Sequence, residues 1–155
     1  MEQLQVRKAE PADATRLARL LGGLGHALGD DDVADRLRWF SRSGSDHVLV
    51  ALSDAHAVGL LTLSVLPRFT DDGRFARITT LATPPSEDRD WIERALLSEA
   101  ESVAERHRCT EVEVVTDADG LEPSGGSFQA LGYTATDERE VRLHKRLEPP
   151  EPVRI

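Results

Sequence analysis

The spacing of hydrophobic residues changes along this chain, and each change predicts a new element. Apolar and polar residues alternate over residues 4–8, which is typical of a first or edge strand. Leucines then recur at helical spacing over residues 17–24. Val33, Leu37 and Phe40 repeat that spacing in a second segment. The chain therefore begins, on this pattern, with a strand and two amphipathic helices.

Three strands are predicted in the middle of the chain. Residues 47–52, 58–66 and 74–83 are rich in apolar and β-branched side chains. Turn-forming residues separate them, at 53–56 and at Asp72-Gly73, a sequence that favours a tight hairpin. The second run is almost continuously apolar, as expected for a strand covered on both faces. These features predict an antiparallel meander.

A long helix is predicted directly after the third strand. The prolines at 84–85 end the strand, because proline donates no ladder hydrogen bond and restricts the residue before it. Ser86 is placed to cap the helix that follows. Apolar residues then recur at helical spacing from Ile92 to Val103, so the helix is predicted over residues 87–105.

The pattern in the last part of the chain predicts further strands of the same sheet. A strand over residues 111–116 follows the long helix, and a helix between two strands of one sheet implies a parallel crossover. A short helix over 127–131 ends at Gly132, which suits a left-handed terminus. Two further strands are predicted over 133–136 and 140–147.

The predicted fold class is therefore α/β (α+β). It has a mixed, mostly antiparallel sheet of six to seven strands with helices on both faces. The length of 155 residues suits one domain, predicted over residues 1–147. The proline-rich segment at 148–155 is predicted to be a disordered tail.

The composition of the chain argues against several classes of function. The net charge of −9 argues against binding to nucleic acid or to an anionic membrane, since both need a basic surface. No apolar run reaches the length of a membrane span, and residues 1–10 lack the apolar core of a signal peptide. Cys109 is the only cysteine, which fits a cytoplasmic setting. The five histidines are scattered, so no metal site is predicted.

Three motifs resemble the GNAT N-acetyltransferase superfamily. They are ITTL at residues 78–81 followed by Pro85, IERALLSEAE at 92–101 and FQALGY at 128–133. The resemblance covers most of the chain. It implies transfer of an acyl group from acetyl coenzyme A, or from another acyl thioester, to an amine of a small molecule. In that family, N–H groups of the loop that opens the long helix hold the pyrophosphate of the donor.

The resemblance also places the donor on this chain. The strand end would pair with the pantetheine arm, and the helix start would meet the phosphates. The residues concerned are Leu81, Ala82, Thr83, Arg89, Asp90, Trp91, Glu93 and Arg94.

The sequence departs from the family pattern inside that loop. Asp88 stands where the family has Arg or Gln, and Trp91 and Glu93 stand where it has two glycines. Glycine lets a phosphate approach the backbone, whereas these side chains would obstruct it, and the local carboxylates would repel it. Only Arg89 and Arg94 carry positive charges that would attract a phosphate. The alternative interpretation is that these acids simply stabilise the start of a helix.

The catalytic residues are not identified by the sequence. The family often uses a tyrosine as a general acid in the short helix before LGY, and the matching residue here is Gln129. An amide donates a hydrogen bond but gives up no proton near neutral pH.

The acceptor side is assigned by the same resemblance to the segment between the first two helices. That segment carries His26, Asp30, Asp31 and Asp32, which could attract a cationic amine. A flexible loop followed by a helix cap explains the same residues.

Two hypotheses follow for the function. The first is a GNAT-like N-acyltransferase, with a homodimer suggested by analogy with the family. The second is a catalytically inactive protein of the same fold, with a binding, regulatory or assembly role. The conformation of residues 88–94 discriminates between them, because Trp91 or Glu93 would either fill the phosphate site or turn away from it.

Overall fold

Five strands form one sheet in the computed structural model, which describes residues 3–115, 126–136 and 141–148. The strands lie in the sheet in chain order, and neighbours are antiparallel except for the last pair, which is parallel. The antiparallel meander and the parallel crossover are therefore confirmed. The strands are β1 (Leu4–Lys8), β2 (Asp46–Ser53), β3 (His56–Pro67), β4 (Arg74–Ala82) and β5 (Cys109–Val114).

In the described ranges, four α-helices cover the two faces of this sheet. They are α1 (Ala14–Gly23), α2 (Asp30–Arg42), α3 (Arg89–Arg106) and α4 (Gly126–Ala130). Helices α1 and α2 share one apolar cluster with alternate residues of β2, whereas α3 and α4 share the other cluster with the intervening residues. This is the arrangement that the sequence predicts. Within the described ranges, no helix combines the length and the apolar composition that crossing a bilayer requires.

Strand β3 is apolar on both sides because both sides are covered. Leu60 belongs to the cluster under α1 and α2, and Leu61 and Leu63 belong to the cluster under α3. Leu61 and Leu63 are completely buried. The continuous apolar run in the sequence therefore has the physical cause that was expected, which is burial of both faces.

Helix α3 makes its closest approach to the sheet at Gly59. A Cβ atom at this position would lie 2.8 Å from Leu96 Cδ1 and 2.9 Å from Ile92 Cγ2. Both side chains are buried, so they have little room to move. Residue 59 must therefore be glycine, because any side chain there would collide with Ile92 and Leu96.

We expect Gly59→Ala to lower the free energy of unfolding by about 1–3 kcal/mol, because the added methyl group overpacks this contact. The matched control is Gly22→Ala. Gly22 is an exposed residue of α1, where a Cβ atom meets nothing within 4 Å. There alanine should raise stability by about 0.5–1 kcal/mol, through its higher helix propensity. Urea unfolding of both variants measures the two effects. A neutral Gly59→Ala would contradict the close approach of α3.

A buried carboxylate fixes the connection from β1 to α1. Asp13, only 1% exposed, ends a 3-10 turn over Pro11–Asp13. Arg7 donates to its two oxygens at 2.7 and 2.8 Å, and the Glu10 N–H donates at 2.8 Å. Arg16 adds a fourth donor at 3.1 Å. Hydrogen bonding to Arg7 is the largest factor that lowers the pKa of Asp13.

The predicted strands near the C-terminus are not present. Residues 133–136 and 141–147 form no strand, so the sheet has five strands rather than six or seven within the described part of the chain. Val141, Leu143 and Leu147 are exposed. Alternation of side chains predicts a strand only where a neighbouring strand supplies the ladder, and here none does. Residues 137–140 and 149–155, including most of the predicted tail, lie outside the described residues.

The predicted cap of the long helix is also wrong. Helix α3 begins at Arg89, with Asp88 in the capping position and no side-chain cap. Ser86 takes part through its backbone oxygen, which accepts a hydrogen bond from the Arg89 N–H at 3.3 Å. The prolines keep residues 83 and 84 out of the helix, because the residue before a proline is restricted to extended backbone. The end of the short helix α4 is as expected, since Gly132 has a φ of 87°.

Candidate functional site

Strands β4 and β5 pair over only part of their length. Their parallel register runs from Arg74 beside Cys109 to Ile78 beside Val114. Strand β4 then continues to Ala82, so its edge over residues 79–82 has no partner strand in the described ranges. Unpaired N–H and C=O groups at such an edge are available to a ligand.

An irregularity in β4 lies at the point where this pairing stops. Thr62 of β3 pairs with Thr80, and the next residue, Leu63, pairs with Ile78, so Thr79 is left over as a bulge. The hydroxyl groups of Thr79 and Thr62 lie 2.8 Å apart. A bulge bends its strand and increases the local twist.

The first turn of α3 carries free backbone donors. The Arg89 and Ile92 N–H groups bond to Ser86 and Asp88. The N–H groups of Asp90 and Trp91 have no acceptor in the part of the chain that the structure describes. Free N–H groups and the positive end of the helix dipole together favour an anion. This end of α3 therefore keeps the backbone features of an anion site.

Glu93 is turned into the protein. It is 4% exposed, and its Oε1 accepts hydrogen bonds from Thr83 Oγ1 at 2.7 Å and from Arg89 Nε at 2.9 Å. Its carboxylate therefore joins the end of β4 to the first turn of α3, and Arg89 balances its charge. The i,i+4 spacing of Arg89 and Glu93 is visible in the sequence, but the contact with Thr83 is not.

The remaining residues of the loop lie toward the surface. Trp91 is 46% exposed, and Arg94 is exposed as well. Asp88 and Asp90 are partly buried, and each carries a carboxylate beside the free donors. Leu81 and Ala82 are partly buried at the end of β4, and Thr83 is buried. The structure thus brings together the eight residues predicted around the donor, in two neighbouring segments.

Three of the predicted acceptor residues, Asp30, Asp31 and Asp32, form the first turn of α2, and His26 lies in the segment before it. Asp30 accepts a hydrogen bond from Thr15 at 2.7 Å, and Asp32 accepts one from the Gly29 N–H at 3.3 Å. The Asp32 carboxylate stabilises the helix start, which is the alternative that the sequence left open, whereas Asp30 joins α2 to α1. His26 and Asp31 are exposed.

Helix α4 presents no phenol at the position that the family pattern singles out. Gln129 is exposed, while the neighbouring Phe128 is buried. Tyr133 packs edge-on against Phe128 with ring centroids 5.8 Å apart. Burial raises the pKa of Tyr133 to about 12, so its phenol stays protonated. Among the residues described, no group of three or more His, Cys, Asp or Glu side chains is placed to hold a metal ion.

This arrangement is a pair of parallel strands whose pairing ends before β4 does, followed by a helix start with free donors, and sequence comparison identifies its class. The model of the acetyltransferase (GNAT) family matches residues 15–133. The chain belongs to that family. Comparison with curated protein sequences gives no match.

Solved structures agree with the family assignment at the level of the fold. An acetyltransferase of Trypanosoma brucei is 23% identical, with a TM-score of 0.74 over 92% of this chain and 100% of that one. An aminoglycoside acetyltransferase from an uncultured soil metagenomic sample, in complex with sisomicin, is 21% identical, with a TM-score of 0.73 over 94% and 97%. The aminoglycoside N-acetyltransferase AAC(6')-Iy, in complex with CoA, is 17% identical, with a TM-score of 0.75 over 94% and 96%.

Proposed function

We propose that this chain is an N-acyltransferase that transfers an acyl group from acetyl coenzyme A, or a related thioester, to an amine of a small molecule. One observation carries the proposal: the unpaired edge of β4 leads directly to the free N–H groups of Asp90 and Trp91. An extended amide-containing arm needs the first feature, and a pyrophosphate needs the second.

The burial of Glu93 supports this proposal. A carboxylate among the free donors would repel phosphate, but the Glu93 carboxylate is directed inward and bound to Arg89 and Thr83. The side chain therefore leaves the surface of the helix start open. Trp91 and Glu93 both stand where the family pattern has a glycine. Of these two side chains, only that of Trp91 is exposed where a donor would approach.

The proposed chemistry needs no covalent enzyme intermediate. The amine nitrogen attacks the carbonyl carbon of the thioester, so the nitrogen–carbon bond forms and the carbon–sulfur bond breaks. The proton that the nitrogen loses passes through water to the departing thiolate. Positioning of the two reactants is then the main contribution of the protein. His26, Asp30, Asp31 and Asp32 are proposed on the acceptor side, where acidic groups suit a cationic amine.

The acceptor class is proposed from the structural neighbours and from charge. Two neighbours are aminoglycoside acetyltransferases, one of them in complex with sisomicin. This chain is acidic, with a net charge of −9, which attracts polyamines over a range set by ionic strength. A panel of small amines that includes aminoglycosides is therefore the appropriate first screen for acyl transfer.

Acetyl coenzyme A should bind the native protein in calorimetric titration, and Trp91→Gly should bind it about tenfold more tightly, because the indole obstructs the approach of phosphate to the backbone. The matched control is Trp39→Gly. Trp39 is the other tryptophan and is 63% exposed on α2. Replacing it with glycine lowers helix stability by about as much as the same substitution at Trp91. Trp39→Gly should bind as the native protein does.

A second candidate function is a non-catalytic member of the same fold. The observation that favours it is the pair of carboxylates, Asp88 and Asp90, beside the free donors, together with Gln129 in place of a phenol. Absence of binding by the native protein, with binding gained by Trp91→Gly, would support this candidate. Absence of binding by both proteins would refute a coenzyme A donor.

A further inference from the structure

A cleft lies on the side of the sheet that α1 covers. It has a volume of about 280 Å³ and forms where α1, the β2–β3 turn and the β4–α3 loop meet. Pockets for whole small molecules begin at roughly 300 Å³, so this cleft has room for one chemical group of a ligand. Its lining includes Arg16, Arg19, Leu20, His56, Ala57 and Pro84.

The cleft is basic in an acidic protein. All the titratable residues that line it are basic, namely Arg16, Arg19 and His56, and no Asp or Glu of the described residues joins them. The whole chain carries a net charge of −9. The local charge is therefore opposite to that of the protein, which concentrates anions at this point.

Both arginines keep N–H groups that form no bond with a described residue. Asp13 is already bound by both Nη atoms of Arg7, so Arg16 is the second cation on a single carboxylate, at 3.1 Å. Glu10 also attracts Arg7, so the two arginines and the two carboxylates of this group balance in charge, but Arg16 uses only one of its N–H groups on Asp13 and keeps the others as donors. Arg19 is exposed and forms no hydrogen bond or ion pair with any described residue.

The shape and the walls of the cleft suit an oxyanion. A guanidinium group presents N–H donors in a planar fork that matches the oxygens of phosphate or carboxylate. His56 Nδ1 lies 2.9 Å from the Asp54 carbonyl oxygen and donates to it, so Nε2 of the neutral ring can accept the O–H of a protonated phosphate, and Nε2 of the protonated ring can donate to a phosphate oxygen. Leu20, Ala57 and Pro84 supply apolar walls beside these polar groups.

We infer that this cleft binds an oxyanionic group of the phosphate type, held by Arg16, Arg19 and His56. The site is separate from the free donors of α3, and it does not require that the chain transfer acyl groups. Two sources of the group share this chemistry. One is a phosphate of the nucleotide end of the donor, since Pro84 belongs to the loop that precedes α3. The other is an anionic substituent of the acceptor.

Inorganic pyrophosphate is the probe, added to the full-length isotopically labelled protein and followed by NMR. The amide signals of residues 16–23 and 54–57 should shift, and the affinity should fall about tenfold in Arg19→Gln, because one charge-assisted contact is lost. Arg36→Gln is the matched control, an exposed arginine on α2 outside the cleft, and should bind as the native protein does. His56→Gln, with a smaller loss, provides a second variant.

Shifts confined to residues 86–94, or equal binding by Arg19→Gln and the native protein, would overturn the inference. A second titration with coenzyme A separates the two sources. Displacement of pyrophosphate from the cleft would assign the group to the donor, while binding of both at once would assign it to the acceptor. The binding of pyrophosphate is measured without any reaction. The test of the cleft therefore remains valid even if the protein transfers no acyl group.

Discussion

Asp13→Asn is expected to lower the free energy of unfolding by about 3 kcal/mol, the cost of breaking a buried ion pair. The substituted amide would place an N–H donor against Arg7 or against the Glu10 N–H, where the carboxylate now accepts four hydrogen bonds. Arg7 is 30% exposed and so recovers some hydration, which limits the loss. Urea unfolding at pH 7 measures the difference.

The matched control for Asp13→Asn is Asp35→Asn. Asp35 accepts from Arg38 at 2.8 Å, but its side chain is 77% exposed, so its loss should cost less than about 0.5 kcal/mol. An equal effect of the two substitutions would contradict the special role of the buried carboxylate.

The contribution of Asp13 should also depend on pH. Its pKa is lowered in the folded protein, so the unfolded state binds the proton more readily. The stabilisation is therefore fully present above the unfolded pKa of about 3.9 and is lost as the pH falls through the folded pKa. The gap between the native protein and Asp13→Asn should narrow when unfolding is measured below pH 4. A constant gap would show that the side chain acts by shape rather than by charge.

Glu93→Ala is expected to cost about 2–4 kcal/mol of unfolding free energy, because it removes buried volume and leaves Thr83 and Arg89 without this acceptor. Glu93→Gln should cost less, about 1–2 kcal/mol, since its amide oxygen can still accept from Thr83. The graded series therefore separates the hydrogen bond from the ion pair. Thermal and urea unfolding of both variants provide the measurement.

Glu99→Gln is the control for this series on the same helix. Glu99 accepts from Arg106 at 3.3 Å, its side chain is 35% exposed, and its loss should be close to neutral. Hydrogen exchange of the amides of residues 89–93 should increase in Glu93→Ala, because the tie between β4 and the first turn of α3 is gone. Unchanged exchange there would show that α3 is anchored by its apolar contacts alone.

Most of the fold could be predicted because its elements depend on local periodicity. The alternation in β1, the leucine stripe of α1 and the continuous apolar run of β3 each report which faces are covered. The two predicted strands over 133–136 and 140–147 show where that reasoning stops. Their alternation is as clear as that of β1, but a strand exists only when a partner supplies its hydrogen bonds, and periodicity carries no information about the partner.

The sequence by itself determined the fold class and the order of the elements from β1 to β5, because spacing and turn residues act between near neighbours. Only the tertiary structure decided the direction of Glu93 and the charge of the cleft around Arg19. Glu93 turns inward because Thr83, ten residues earlier, offers a hydroxyl at the end of β4. The basic cleft exists because α1 and the β2–β3 turn, far apart in the chain, pack side by side. Such long-range contacts are set by how the sheet and helices close around the core, which no local pattern records.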